Sequence, residues 1–178
     1  MHNPDGGTPI VIPACSGGGS PSLPGDRLEA EACPATADYL PAGTDVTCAT
    51  LADCQDAGVA SGAFKACRGE KCSIDGCLTD SDCPTGQACA CASQVGGSTL
   101  HTNTCVAAQC RVDADCGRSV GICSPTRGYC GGLIGYYCHS EADTCITDAD
   151  CCEPSASSCQ YQPELGHFAC QAPVGCSG

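Results

Sequence analysis

Cysteine offers more chemistry than any other residue in this sequence, with 22 copies among 178 residues. Thiols can bind metals, exchange electrons or form structural disulfides. No two of these cysteines are separated by only two residues, the spacing that thioredoxin-like sites, c-type haem attachment, zinc ribbons and bacterial ferredoxin clusters require. The spacing thus argues against these metal and redox sites, and the even number of cysteines favours disulfides, because every thiol can be paired. A thiolate metal cage is the alternative, because Cys89 and Cys91, and Cys151 and Cys152, are close in sequence.

Pairs of aspartates are the second group that could carry chemistry, because closely spaced carboxylates can bind calcium. The three pairs are Asp80 and Asp82, Asp113 and Asp115, and Asp148 and Asp150. A calcium loop needs about six to eight oxygens, and each pair supplies only two carboxylates before the chain reaches a cysteine. We therefore favour a turn role, in which each short side chain accepts backbone N–H bonds, over a calcium site.

The remaining candidates for catalysis do not combine into a site. The segment Gly117 to Gly121 matches the Gly-x-Ser-x-Gly nucleophile elbow, but that motif needs a strand-to-helix turn over a parallel sheet, and here it lies between two cysteines. The four histidines lack metal-ligand spacing and are expected at the surface: His2, His101, His139 and His167. Because no nucleophile, base and orienting group can be brought together, the sequence predicts a chain that is not an enzyme and needs no cofactor.

A repeat positions these cysteines and aspartates. Each copy opens with two cysteines separated by five residues, the last of which is Asp. The four openings are Cys48 to Cys54, Cys77 to Cys83, Cys110 to Cys116 and Cys145 to Cys151. Such a period indicates a tandem array of small units. We expect these eight cysteines to form structural disulfides.

Large apolar side chains are scarce, with two Phe and no Trp, and the net charge is −13. That composition alone is typical of disorder. A disulfide, however, contributes about 2 to 4 kcal/mol by restricting the unfolded chain. Turn-forming residues recur throughout, and no long apolar period of 3.6 residues occurs. The predicted fold is therefore small and disulfide-rich, an elongated array of tandem cysteine-knotted repeats with short β-strands, turns and little helix.

The pattern divides the chain into six segments. Residues 1–32 are predicted to be a flexible leader rich in Gly, Pro and Ser, and residues 33–47 a lead-in segment. The cysteine-rich repeats 1 to 4 then occupy 48–76, 77–109, 110–144 and 145–178.

One apolar stretch, at residues 131–137, stands out in this chain. It contains Leu133, Ile134, Tyr136 and Tyr137. A disulfide-clamped repeat needs little apolar filling, and exposed tyrosines are favoured at interfaces. The stretch is either an internal strand or a surface for partner contact, and these four residues are the contact candidates.

The opening motif resembles the cysteine-rich repeats of secreted and surface proteins of myxobacteria. More loosely, it is similar to Dickkopf N-terminal and whey-acidic-protein modules with their Cys, Asp, Cys openings. The resemblance covers residues 48–176. It implies an extracellular location, and the likeness to whey-acidic modules would imply protease inhibition.

The composition also restricts the location of the protein and the kinds of partner it can bind. Dense disulfides persist only in an oxidising compartment, so we expect an extracellular or cell-surface protein. The acidic charge disfavours nucleic acid, and no segment reaches the roughly 18 apolar residues of a transmembrane helix. Residues 12–15 resemble a bacterial lipobox, but no hydrophobic region precedes them, and lipidation of Cys15 would leave an odd cysteine count. We expect no lipid anchor.

The leading hypothesis is a non-catalytic extracellular structural or adhesive protein, a disulfide-clamped rod that self-assembles or binds a surface partner. One alternative is a soluble secreted binding module, such as a protease inhibitor or ligand, that presents one exposed loop. The other is a calcium-stabilised spacer, whose melting temperature should fall on addition of a chelator.

Overall fold

The computed structural model describes residues 27–30, 32–35, 46–55, 64–68, 70–95, 102–117, 121–128, 131–153 and 155–172. Within them the helices are α1 (Leu51–Gln55) and three 3₁₀ turns at Asp80–Asp82, Asp113–Cys116 and Asp148–Asp150. The strands are β1 (Ala66–Arg68), β2 (Lys71–Ser73), β3 (Gln87–Ala90), β4 (Thr104–Ala108), β5 (Cys123–Arg127), β6 (Leu133–Cys138), β7 (Ser158–Gln162) and β8 (His167–Gln171). The predicted small, disulfide-rich fold with short strands and little helix is confirmed.

All four repeats share one construction. The opening segment contains a short helical turn, and two later cysteines face each other across an antiparallel hairpin. The first opening cysteine bonds to the first hairpin cysteine, and the second to the second. The bonds are Cys48–Cys67, Cys54–Cys72, Cys77–Cys89, Cys83–Cys105, Cys110–Cys123, Cys116–Cys138, Cys145–Cys159 and Cys151–Cys170. Two disulfides therefore clamp each hairpin to its opening turn.

A ninth disulfide, Cys33–Cys91, joins the lead-in segment to repeat 2. Cys152 is also disulfide-bonded, and none of the described cysteines is free. Cys15, with the lipobox-like segment, lies outside the described residues. The bonded sulfurs fill most of the interior of repeat 2, where a larger domain would bury aliphatic side chains.

Repeats 2 and 3 share a sheet, whereas repeats 1 and 4 each have a separate two-stranded sheet. The shared sheet has the strand order β3-β4-β6-β5, and β4 runs parallel to β6. Ala107 lies beside Gly135 at this contact. A Cβ atom on Gly135 would lie 2.8 Å from the Ala107 carbonyl oxygen and 2.7 Å from Cε2 of Tyr137. Glycine at this position therefore lets the two repeats approach closely.

Candidate functional site

The last aspartate of each opening stabilises its own turn. One oxygen of Asp53 accepts the backbone N–H groups of Ala49 and Thr50 at 2.8 and 2.7 Å. The hydrogen bond from the Thr50 backbone, followed by that from Ala49, lowers the pKa of Asp53. Asp82, Asp115 and Asp150 make the same pair of bonds in their repeats. This is the turn role favoured from the sequence.

The first aspartate of each pair connects the turn to the hairpin. One oxygen of Asp80 accepts the N–H of Cys89 at 2.8 Å, and Asp113 and Asp148 accept the N–H of the equivalent hairpin cysteines at 2.8 and 2.7 Å. Repeat 1 has Leu51 at this position and lacks the bond. In each of the three aspartate pairs considered for calcium, both carboxylates thus use one oxygen to accept backbone N–H groups.

Four cysteine triplets have sulfur atoms within 4.8 Å of one another, close enough to surround a metal ion. Their members belong to the eight disulfides within the repeats, so these sulfurs are not thiolates. Cys89 and Cys91, which the thiolate-cage alternative used, are bonded to Cys77 and Cys33.

The apolar stretch is mainly internal. Leu133 and Tyr136 are buried in the core that repeats 2 and 3 share, because β6 lies between β4 and β5. Tyr137 stacks on Tyr161 with 3.9 Å between ring centroids. Ile134 is 53% exposed. Of the four contact candidates, Leu133 and Tyr136 cannot reach a partner, and Ile134 is the one that clearly can.

His139 was expected at the surface, but it is 1% exposed and lies where repeat 3 passes into repeat 4. Its Nδ1 is 2.5 Å from an oxygen of Asp143, and its ring stacks on Phe168 at 4.0 Å. Asp143 also accepts bonds from the N–H and hydroxyl of Ser140 and from the N–H of Phe168. Burial opposes ionisation of Asp143, but these hydrogen bonds outweigh it and lower its pKa.

The junction between repeats 1 and 2 uses the same device. Asp75, like Asp143, stands two residues before the first cysteine of a repeat. It accepts the N–H of Asn103 at 2.9 Å, and Asn103, like Phe168, stands two residues before the last bonded cysteine of that repeat's hairpin. An aspartate two residues before the first cysteine of a repeat is therefore a sequence signal for this kind of junction, and the pattern of openings alone did not reveal it.

Two arginines connect repeats 2 and 3, and sequence reasoning missed both. Arg27, in the segment expected to be a flexible leader, is 6% exposed and forms an ion pair with Asp80 at 3.0 Å. Arg111 donates from repeat 3 to the carbonyls of Cys83, Pro84 and Gln87 in repeat 2. Arg27 lies outside the four repeats, and Arg111 occupies a position of the opening at which the other repeats have an apolar residue, so the repeat pattern marks neither of them.

The described side chains are arranged to hold turns and junctions together. The His139–Asp143 pair resembles half of a catalytic triad, but burial under Phe168 leaves a substrate no approach to the imidazole. Residues 118–120 of the nucleophile-elbow pattern lie outside the described residues.

Comparisons with protein-family models, with curated proteins and with solved structures gave no match. The class of the molecule therefore follows from its own construction. Nine disulfides among the described residues define a small, mostly β, disulfide-rich protein of the secreted or extracellular type. Its described helices are too short to cross a membrane.

Proposed function

We propose that the chain is a non-catalytic extracellular structural or adhesive protein, whose linked repeats self-assemble or bind a surface partner. The observation that carries this proposal is the use of polar side chains at the junctions, three of them buried. Asp75, Arg27, Arg111 and Asp143 each tie one repeat to its neighbour or to the preceding segment. Such joints suit a protein that holds several contact surfaces in fixed relation, an arrangement that favours multivalent attachment when the spacing matches that of the partner.

Exposed apolar side chains supply candidate contact points. Ile134 is 53% exposed on the shared sheet, and Leu165 is 59% exposed at the tip of the β7–β8 hairpin. Leu51 is also exposed in repeat 1. The three side chains lie on different repeats, so each is a separate, small point of contact rather than part of one large apolar face.

Negative-stain electron microscopy and light scattering of the non-reduced protein, over a range of concentrations, test the proposal. We expect filaments or high-mass particles that persist on dilution. Ile134→Glu should reduce the assembled mass, whereas Glu141→Gln, at an exposed position with no such contact, serves as the control. A discrete monomer with no affinity for cell surfaces would overturn the proposal.

The exposure of Leu165 favours a second candidate, a soluble secreted binding module that presents the β7–β8 tip. The tip is well defined, because the N–H groups of Leu165 and Gly166 both donate to the Gln162 carbonyl. Titration against a panel of serine proteases tests the inhibitor form of this function. Stoichiometric inhibition of a protease, abolished by Leu165→Asp, would support this function. A monomer that inhibits none of the proteases would exclude the inhibitor form.

A further inference from the structure

The guanidinium of Arg27 is held by groups from both repeat 2 and repeat 3. We name this site the arginine seam, formed by Asp80 and Cys89 of repeat 2 and by Arg111 and Tyr136 of repeat 3. The guanidinium donates to Asp80 at 3.0 Å and to the carbonyls of Cys89 and Arg111 at 3.2 and 3.1 Å. It also lies 4.0 Å from the centre of the Tyr136 ring. The partners of the guanidinium thus include a carboxylate, two carbonyls and an aromatic face.

The backbone of Arg27 is bound as well. Its N–H donates to the Cys123 carbonyl at 3.3 Å, and its carbonyl accepts the N–H of Asp113 at 2.9 Å. Peptide-binding domains commonly combine such backbone bonds, which supply affinity, with a pocket for one side chain, which supplies specificity. Repeats 2 and 3 together offer both to the segment that carries Arg27.

The seam is built for arginine rather than for positive charge in general. A planar guanidinium can donate in several directions while it lies over an aromatic ring, and the compact ammonium of lysine cannot do both. Asp80 is also fixed in advance, because it accepts the N–H of Cys89. The carboxylate therefore does not have to reorganise when a guanidinium arrives.

The seam is filled by a segment that is covalently held nearby. Cys33, six residues after Arg27, is bonded to Cys91. A tether this short gives Arg27 a high effective concentration at the seam, so that a free peptide with the same contacts competes poorly.

We propose that the arginine seam is a binding site for an arginine side chain carried on a peptide segment, and that Arg27 occupies it as an internal ligand. An arginine peptide added from outside therefore binds well only where Arg27 has been removed. The site goes beyond the structural role proposed above and does not depend on self-assembly.

Removal of the internal ligand tests the proposal. The peptide of residues 24–30, acetylated and amidated, is titrated by calorimetry into the Arg27→Ala variant and into the unaltered protein, both at dilutions where light scattering shows monomers. We expect saturable binding to the variant and at least tenfold weaker binding to the unaltered protein. A peptide with Lys in place of Arg should bind at least tenfold more weakly, and Asp80→Asn in the variant should have a comparable effect.

Chemical rescue keeps the test decisive if Arg27→Ala folds poorly. Millimolar ethylguanidinium should raise the melting temperature or refolding yield of the variant, whereas ethylammonium, the matched control, should not. The absence of both saturable peptide binding and ethylguanidinium rescue would overturn the site and leave Arg27 as a structural ion pair. Because both readouts are taken on monomers, failure of the arginine seam is distinguishable from failure of self-assembly.

Discussion

The junction between repeats 2 and 3 and the junction between repeats 3 and 4 are built differently. The first joins main chains, because β4 and β6 pair in parallel in one sheet, and Arg27 and Arg111 reinforce it. The second relies mostly on side chains, among them the Asp143 carboxylate, the Thr126 hydroxyl, the Gln160 amide and the stacked rings of Tyr137 and Tyr161. The repeats themselves have the same disulfides and the same turn. The cysteines and aspartates common to all four repeats therefore specify each repeat, while residues that are not common to all four specify how two repeats meet.

The junction between repeats 1 and 2 agrees with this division. Asp75 and Asp143 bind the equivalent N–H groups of the following repeat, whereas Ala108 occupies their position before repeat 3. The alanine carries no carboxylate, and its backbone lies in β4 beside Tyr136 of β6. The pairing of β4 with β6 thus takes the place of the carboxylate at the junction between repeats 2 and 3.

Removal of the carboxylate should produce the largest change at the side-chain junction. Asp143→Ala leaves a buried imidazole, two backbone N–H groups and a hydroxyl without their acceptor, so we expect a loss of about 3 kcal/mol in the free energy of unfolding. Thermal and urea denaturation under non-reducing conditions measure it. Asp75→Ala should weaken the junction between repeats 1 and 2 in the same way, and Glu141→Ala, exposed in the same linker as Asp143, is the control. Equal stability of Asp143→Ala and Glu141→Ala would contradict the assigned role.

An added methyl group should weaken the main-chain junction somewhat less. Gly135→Ala places a Cβ atom against the Ala107 carbonyl and the Tyr137 ring, so the strands must separate at a cost of about 1 to 3 kcal/mol. Hydrogen exchange should show faster exchange in β4 and β6, with little change in β7 and β8. Gly76→Ala is the matched variant, because its Cβ atom would lie 3.4 Å from its nearest neighbour, the Asn103 carbonyl oxygen. Unchanged protection in β4 would show that Gly135 does not set this contact.

Acid should remove a smaller part of the side-chain junction. The pKa of Asp143 is lower in the folded protein than its ordinary value of 3.8, so its ionisation stabilises the fold above that value. This contribution is lost as the pH falls through the lowered pKa. The difference in melting temperature between the unaltered protein and Asp143→Ala should therefore shrink from pH 5 towards pH 2. Asp53, whose pKa is also lowered, is common to both proteins and cancels in that difference. A constant difference over this range would contradict the ionic role of Asp143.

A chelator should have the smallest effect. The aspartate pairs already bind backbone N–H groups, so EDTA should leave the melting temperature of the protein unchanged. A fall of several degrees, reversed by calcium, would instead support the calcium-stabilised spacer.

The sequence revealed the repeats better than it revealed their connections. Regularly spaced cysteines and aspartates predicted small disulfide-rich units and the role of Asp82 and its equivalents, because these depend on short-range geometry. Leu133 and Tyr136 could not be assigned to core or surface, because β6 is internal only through its pairing with a strand of another repeat. Arg27 was missed for a related reason, since its partner Asp80 lies 53 residues away.

Disulfide mapping by mass spectrometry of the non-reduced protein, with partial reduction to resolve neighbouring cysteines, tests the central claim most directly. The claim is that each motif closes its own repeat, so the first opening cysteine should bond to the first hairpin cysteine and the second to the second in all four. Cys33–Cys91 should be found as an additional bond to repeat 2. A bond from any opening cysteine to a different repeat, or the reversed pairing within one repeat, would contradict the account.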